Sequence, residues 1–285
     1  MLVFKTSAVS NRAGLETLKR DPLLSNDNGG VRFVFDAGFP FSYAGGAPAN
    51  GAVVKDVAEV ADGAFVLASG QHVAFNGNGF DFSTLTATGP TDADNYVNGG
   101  AQGWSGIFAS QEYLVCVYLR LPTADDWLAT SIIPFFSSSD NGYTSEADPV
   151  LGCFSALQRF EFRRQTAINV QSSITVTPNA DHYGQVCQVA FWRNASGIGA
   201  RVKGAASTKL TTAVAGAMNT ADFSACRPKF GCPPPFTTGA TGGAMTTRNF
   251  RMYRGFLENL HLSGRDPVAV LDADYTRTAA RGVFS

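Results

Sequence analysis

The chain has 285 residues, with 22 Lys and Arg against 23 Asp and Glu and a formal net charge of −1, a balance that excludes broad electrostatic binding to nucleic acid. Hydrophobic residues make up 45% of the chain and charged ones only 16%, which excludes global disorder. Thirty glycines and 22 phenylalanines, among many Thr, Ser and Asn, suit a turn-rich β protein better than a helical one.

The first thirty residues read differently from the rest. Residues 2–4 predict a short strand, and residues 11–20 a short helix behind Ser10 as N-cap, stopped by Asp21-Pro22. Residues 26–30 read as a linker, so 1–30 is expected to be an N-terminal arm that docks on a neighbour, with a strand returning to the main sandwich as the alternative, and 31–285 the main domain. The opening MLVFKTSAVSNRAG has too short an apolar run for a signal peptide, and no 18-residue apolar stretch follows. Synthesis and folding in a cytoplasm, with no membrane insertion, are expected.

From residue 31 strand signals are dense. Strands are predicted over 31–36, 53–57 and 65–67, and over 73–82 around a Gly-Asn-Gly turn. Residues 86–106, rich in Thr, Asp, Asn and Gly, read as a long loop. Residues 113–121, YLVCVYLRL, form an almost unbroken apolar run and predict a central strand buried on both faces. Further strands are expected over 132–136, 152–154 and 160–164, with a polar loop over 137–149. Residues 184–204, GQVCQVAFWRNASGIGARVKG, alternate with period two on both sides of Asn194-Ala195-Ser196-Gly197, the signature of an antiparallel hairpin. Residues 205–243, including Pro233-Pro234-Pro235, read as a long excursion or partner-facing loop. Residues 250–260 predict a last strand with Phe250, Met252 and Phe256 facing inward.

Three segments in this order resemble the concanavalin A-like/laminin-G-like jelly-roll domains of tailed-bacteriophage virion proteins. Phe33-Val34-Phe35-Asp36-Ala37-Gly38, with Pro40 and Ser42-Tyr43, is similar to their opening L-D-A-G-N-P-x-S-Y strand. Val54-Lys55-Asp56-Val57 falls where they carry W-x-D-L-S, and residues 73–82 where they carry F-D-G. The 186–204 hairpin and the closing 250–263 strand, ending Leu260-His261-Leu262-Ser263, complete the set. The resemblance implies an all-β, two-sheet antiparallel jelly-roll sandwich spanning about residues 31–275. It implies a non-enzymatic structural component of the virion (tail, baseplate or fibre), assembling as a homo-oligomer with other virion proteins and touching host glycans. The alternatives are a capsid decoration protein, a soluble carbohydrate-binding lectin and a divergent glycoside hydrolase.

Charge placement agrees with assembly: residues 91–150 hold eight acids against Arg120 alone, and residues 201–285 hold eleven Lys and Arg against five acids. The plain reading is two differently charged solvated faces; the sharper one is that copies stack acidic face to basic face in an assembly.

Hydrolases of this fold need carboxylates at alternate strand positions, because i and i+2 share a face. The nearest run, Glu146-Ala147-Asp148-Pro149, lacks the second Glu and carries a proline that argues for a loop. Asp125/Asp126 and Asp272/Asp274 read as turn-capping pairs. His72, His182 and His261 lie near no nucleophile elbow. A sugar site wants an aromatic platform beside amide and carboxylate groups, so Tyr143 with Asp140 and Asn141, or Trp104 in its Gly/Ser loop, are the candidates. Core or rim packing is the competing expectation for Trp104, Trp127 and Trp192. No cofactor is expected beyond a possible Ca²⁺, for which Asp92, Asp94, Asn95 and Asp140 supply oxygens. The five cysteines, 116, 153, 187, 226 and 232, fit reduced buried thiols, with Cys226 and Cys232 the pair that an oxidising setting would bridge.

Overall fold

A computed structural model describes residues 21–85, 95–100, 104–107, 109–127, 133–138, 150–155, 157–167, 170–220, 226–233 and 249–284. Two antiparallel sheets of eight strands each are stacked face to face, the jelly-roll sandwich expected from the sequence. Sheet A comprises β1 (Val31–Asp36), β4 (Ala74–Asn76), β5 (Gly79–Asp81), β7 (Tyr113–Arg120), β12 (Val186–Asn194), β13 (Gly197–Lys203), β14 (Thr208–Ala213) and β16 (Arg251–Asn259). Their order is β14-β13-β12-β7-β16-β5-β4, with β1 beside the later part of β16. Sheet B runs β11 (Val170–Val176), β10 (Arg159–Ala167), β9 (Leu151–Ser155), β8 (Ile133–Ser137), β15 (Lys229–Cys232), β6 (Asn95–Asn98), β3 (Gly63–Leu67) and β2 (Val53–Val54).

Local chemistry accounts for both expected hairpins. Gly77 and Asn78 both adopt positive φ, 54° and 61°, the backbone of a two-residue hairpin turn between β4 and β5. Between β12 and β13 the Asn194 side chain accepts the N–H groups of Ser196 and Gly197 at 3.0 and 3.1 Å.

Phenylalanines fill the space between the sheets. Phe65 meets Phe80 edge-on at 4.6 Å, and Phe162 stacks on Phe191 at 4.5 Å. Gly255 in β16 is required there, because a Cβ would lie 2.5 Å from Phe35 and 2.9 Å from Phe230.

Sheet A is also covered on its other face, which is why β7 is an unbroken apolar run. Tyr113, Val115, Val117 and Leu119 face sheet B, whereas Leu114, Cys116 and Tyr118 face outward. The outer layer is helix α2 (Pro267–Arg281), which follows the single turn α1 (Leu260–Ser263). The α2 caps are standard: the Asp266 side chain accepts the Ala269 N–H, Pro267 opens the helix, and Gly282 closes it in the left-handed conformation. Val270, Leu271, Asp274 and Thr278 form its buried stripe. Leu23 and Leu24, in the 3-10 turn Pro22–Leu24, pack into the same outer layer.

Several expectations change. The 86–106 loop contains β6 in the interior of sheet B, its polar ends having hidden it. The 205–243 excursion contributes β14 to the edge of sheet A and β15 to the interior of sheet B. Phe256 faces outward, not inward, because a bulge between Met252 and Arg254 shifts the alternation. Asp272 and Asp274 are helix α2 residues rather than a turn pair. Of the 1–30 segment, residues 1–20 lie outside the described residues, as do the helix and strand expected there; residues 21–30 pack on the outer layer and β16.

All five cysteines are buried. Burial pushes the Cys187 thiol up to about 12, which keeps it an unreactive thiol. No described helix is long and apolar enough to cross a membrane.

Candidate functional site

Of the residues predicted to bind sugar or calcium, Asp140, Asn141, Tyr143, Asp92 and Asp94 lie outside the described residues. The two described ones are elsewhere occupied. Trp104 is fully buried between Tyr113 and Phe136, with ring centroids at 5.4 and 6.4 Å, so it is core and not a sugar platform. Asn95 is buried at the start of β6, and its side-chain oxygen accepts the Ala68 N–H at 3.2 Å, so it is engaged inside sheet B. Trp127 and Trp192 are core as well, Trp127 donating to the Ser155 carbonyl at 3.0 Å. Among the described residues no three His, Cys, Asp or Glu side chains gather as a metal ion would need.

One grouping resembles a nucleophile with its base. Ser207 Oγ lies 3.0 Å from His182 Nε2 and donates to Asp181 at 2.7 Å. However, His182 Nδ1 accepts the Asn179 backbone N–H at 3.0 Å, which places the neutral ring's proton on Nε2. That nitrogen then has no lone pair to take the serine proton, and the hydroxyl hydrogen is committed to Asp181. The trio is a structural knot that ties the 179–182 turn to the 204–207 turn.

An open cleft of about 350 Å³ lies at one end of sheet A, within the size range of small-ligand sites. Register builds it. Asp81 pairs with Arg251, and Arg251 pairs with Arg120, so three charged side chains stand in one row across β5, β16 and β7. The segment after β7 supplies Leu121, Pro122, Thr123 and Asp126; Ser83, Asn249, Phe250 and Gly184 complete the wall.

Asp81 is fully engaged: Oδ1 accepts Ser83 N and Oγ at 3.0 and 2.6 Å, and Oδ2 accepts Asn76 Nδ2 and Arg251 Nη2 at 3.1 and 3.2 Å. Burial alone would raise its carboxyl, but the Ser83 and Asn76 hydrogen bonds and the Arg251 charge outweigh it and hold the group below its ordinary value. Arg120 is the sole exposed residue of β7, and its side chain makes no hydrogen bond or ion pair among the described residues. Asp126 is exposed, braced by Thr123 Oγ1 at 2.6 Å. Phe250 presents little ring face, being stacked on Phe82 at 4.9 Å, so the cleft is polar rather than aromatic.

The outer layer of sheet A carries a second charged group, which is structural. Buried Arg254 donates to Asp21 at 2.8 Å and to Asp36 and Asp274 at 3.0 Å; Arg281 reaches Asp36 at 2.6 Å and Tyr118 donates to Asp274 at 2.7 Å. Burial would raise the Asp21 carboxyl, but the Arg254 charge and the Leu23 N–H hold it below its ordinary value. For Asp21 and Asp81 the folded state therefore binds fewer protons than the unfolded chain, and their stabilisation is full above the unfolded pKa. Stability is expected to hold steady above about pH 5 and to fall as pH drops through about 4 and below. Urea midpoints across pH 3–6 check this; a midpoint that rises on acidification counts against it.

No protein family and no curated protein matches the chain. Among solved structures, the binding domain of botulinum neurotoxin serotype D is similar with a TM-score of 0.50 and 9% identity. The match covers 83% of this chain and 49% of the toxin's, so the chain spans about half the length of that structure. The receptor-binding domain of the mosaic serotype C/D toxin follows at 0.48 and 10%, covering 84% and 52%. The CBM2 module of the Lactobacillus casei BL23 phage J-1 evolved Dit follows at 0.43 and 11%, covering 80% and 95%. At these identities the likeness speaks to the fold alone, a β-sandwich.

Proposed function

We propose that the protein is a non-enzymatic structural component of a bacteriophage virion, of the tail, baseplate or fibre, that contacts a host saccharide through the cleft at the end of sheet A. The cleft carries the binding half of this reading. Thr123, Asp126, Asn249, Ser83 and Arg120 offer hydrogen-bond donors and acceptors around a small open volume with Leu121 and Pro122 as apolar wall. Sugar hydroxyls need that mixture. The virion half rests on the ordered resemblance of residues 33–43, 54–57, 186–204 and 250–263 to virion domains.

The non-enzymatic part is supported by the carboxylates that line the cleft. A glycosidic general acid needs a raised pKa. Asp81 has the opposite environment, with both oxygens engaged and its carboxyl held low. Asp126 sits on the exposed turn that follows β7.

A glycan array with the purified chain, followed by titration of any hit, tests the reading. Millimolar or tighter binding is expected, weakened about tenfold by Asn249→Ala or Thr123→Val, the loss of about one hydrogen bond to ligand. An array without a hit, or a hit that both variants leave unchanged, rules out this cleft, and polysaccharide turnover by the same protein would rule out the non-enzymatic role.

A further inference from the structure

The arginine row is an arrangement a strand end does not need for folding. Like charges directly opposite on neighbouring antiparallel strands repel, yet Arg120 and Arg251 are such a pair. Asp81 relieves only Arg251, to which it is bound at 3.2 Å and with which it pairs on the other side. Arg120 is left as a guanidinium without a carboxylate partner among the described residues, at the wall of a cleft. Every other position of β7 is buried. Lysine or glutamine there would fill the same solvated position with a less rigid or uncharged group.

Resting on the saccharide reading, we infer that Arg120 is an anion-binding group and that the saccharide taken by this cleft carries a carboxylate. A planar guanidinium matches a planar carboxylate through two parallel hydrogen bonds. A monoanion fits best: Arg251 is engaged by Asp81, which leaves Arg120 as the guanidinium of the row without a carboxylate at ion-pair distance among the described residues, while Asp126 brings the lining to two acids and two arginines. A phosphate dianion would call on both arginines while facing Asp81 and Asp126. Asp126 and Asn249 would then receive the ring hydroxyls, as they would for a neutral sugar.

The test uses matched pairs that differ in one carboxylate: methyl glucuronide with methyl glucoside, methyl galacturonide with methyl galactoside, and sialyllactose with lactose, each titrated calorimetrically into the full chain. The acidic member of at least one pair is expected to bind about tenfold tighter. Arg120→Gln is expected to bring that member down to the affinity of its neutral partner while Tm stays level or rises, since the repulsion with Arg251 is removed. Asn249→Ala is expected to weaken both members alike. Equal binding of acidic and neutral members by the wild-type protein, or an acidic preference that survives Arg120→Gln, overturns the inference and leaves the saccharide reading standing. Absence of binding to any member overturns both. Tight binding of inorganic phosphate that displaces the acidic sugar points to a dianion and also overturns it.

Discussion

Replacing Arg254 with alanine is expected to lower the unfolding free energy by about 3–5 kcal/mol, the cost of removing one partner from a buried ion cluster. The residue is fully buried, and its guanidinium bonds carboxylates from three parts of the chain: Asp21 before β1, Asp36 at the end of β1 and Asp274 in α2. Arg277 and Arg281 join from the helix side, so three acids face three arginines and the cluster is neutral as a whole. Without Arg254, the only cations left to Asp36 and Asp274 among the described residues are their partly exposed α2 arginines, in a nearly dry layer. The helix is expected to loosen with the loss, since Tyr118, Gln188 and the Leu271 carbonyl belong to the same polar chain. Urea denaturation measures the change. A loss under about 1 kcal/mol would mean that apolar packing by Val270 and Leu271 holds α2 without the ions.

Asp56→Ala is expected to cost about 3 kcal/mol or more, because one carboxylate serves four backbone N–H groups. Its Oδ1 accepts from Val34 and Ala58 at 2.8 and 2.9 Å, and Oδ2 from Val60 and Ala61 at 2.9 and 3.2 Å. The Val57 N–H donates back to the Val34 carbonyl at 2.9 Å. The free edge of β1 is thereby occupied by a loop instead of a strand, which protects it from pairing with another chain. Asn at position 56 keeps one acceptor oxygen and turns an amide donor toward two of the N–H groups, so Asp56→Asn is expected to recover less than half of the loss. Thermal midpoints of both variants decide this, and an Ala variant as stable as the Asn variant would discard the four-donor account.

Much of the sandwich was legible without coordinates. The β12–β13 hairpin, the Gly77-Asn78 turn and the doubly buried β7 follow from period-two alternation, turn chemistry and run length, all of them local. What escaped was non-local or atypical in pattern. Helix α2 places Asp274 inside its buried stripe, which breaks the apolar signal, and only Arg254 and Tyr118 from other strands make that position tolerable. Strands β6 and β15 are four residues each and owe their existence to neighbours on both sides. Trp104 reads as a platform because its neighbours are Gly and Ser, although its ring is enclosed by Tyr113 of β7 and Phe136 of β8.

The cleft shows the division most plainly. Composition, turns and alternation along the chain were enough to specify strands and a two-layer arrangement, since each depends on residues a few positions apart. Nothing along the chain relates Asp81, Arg120 and Arg251, which are 39 and 131 positions apart in turn. Pairing register across β5, β16 and β7 alone set them in a row, because hydrogen bonding between strands, and not distance in sequence, decides which side chains become neighbours.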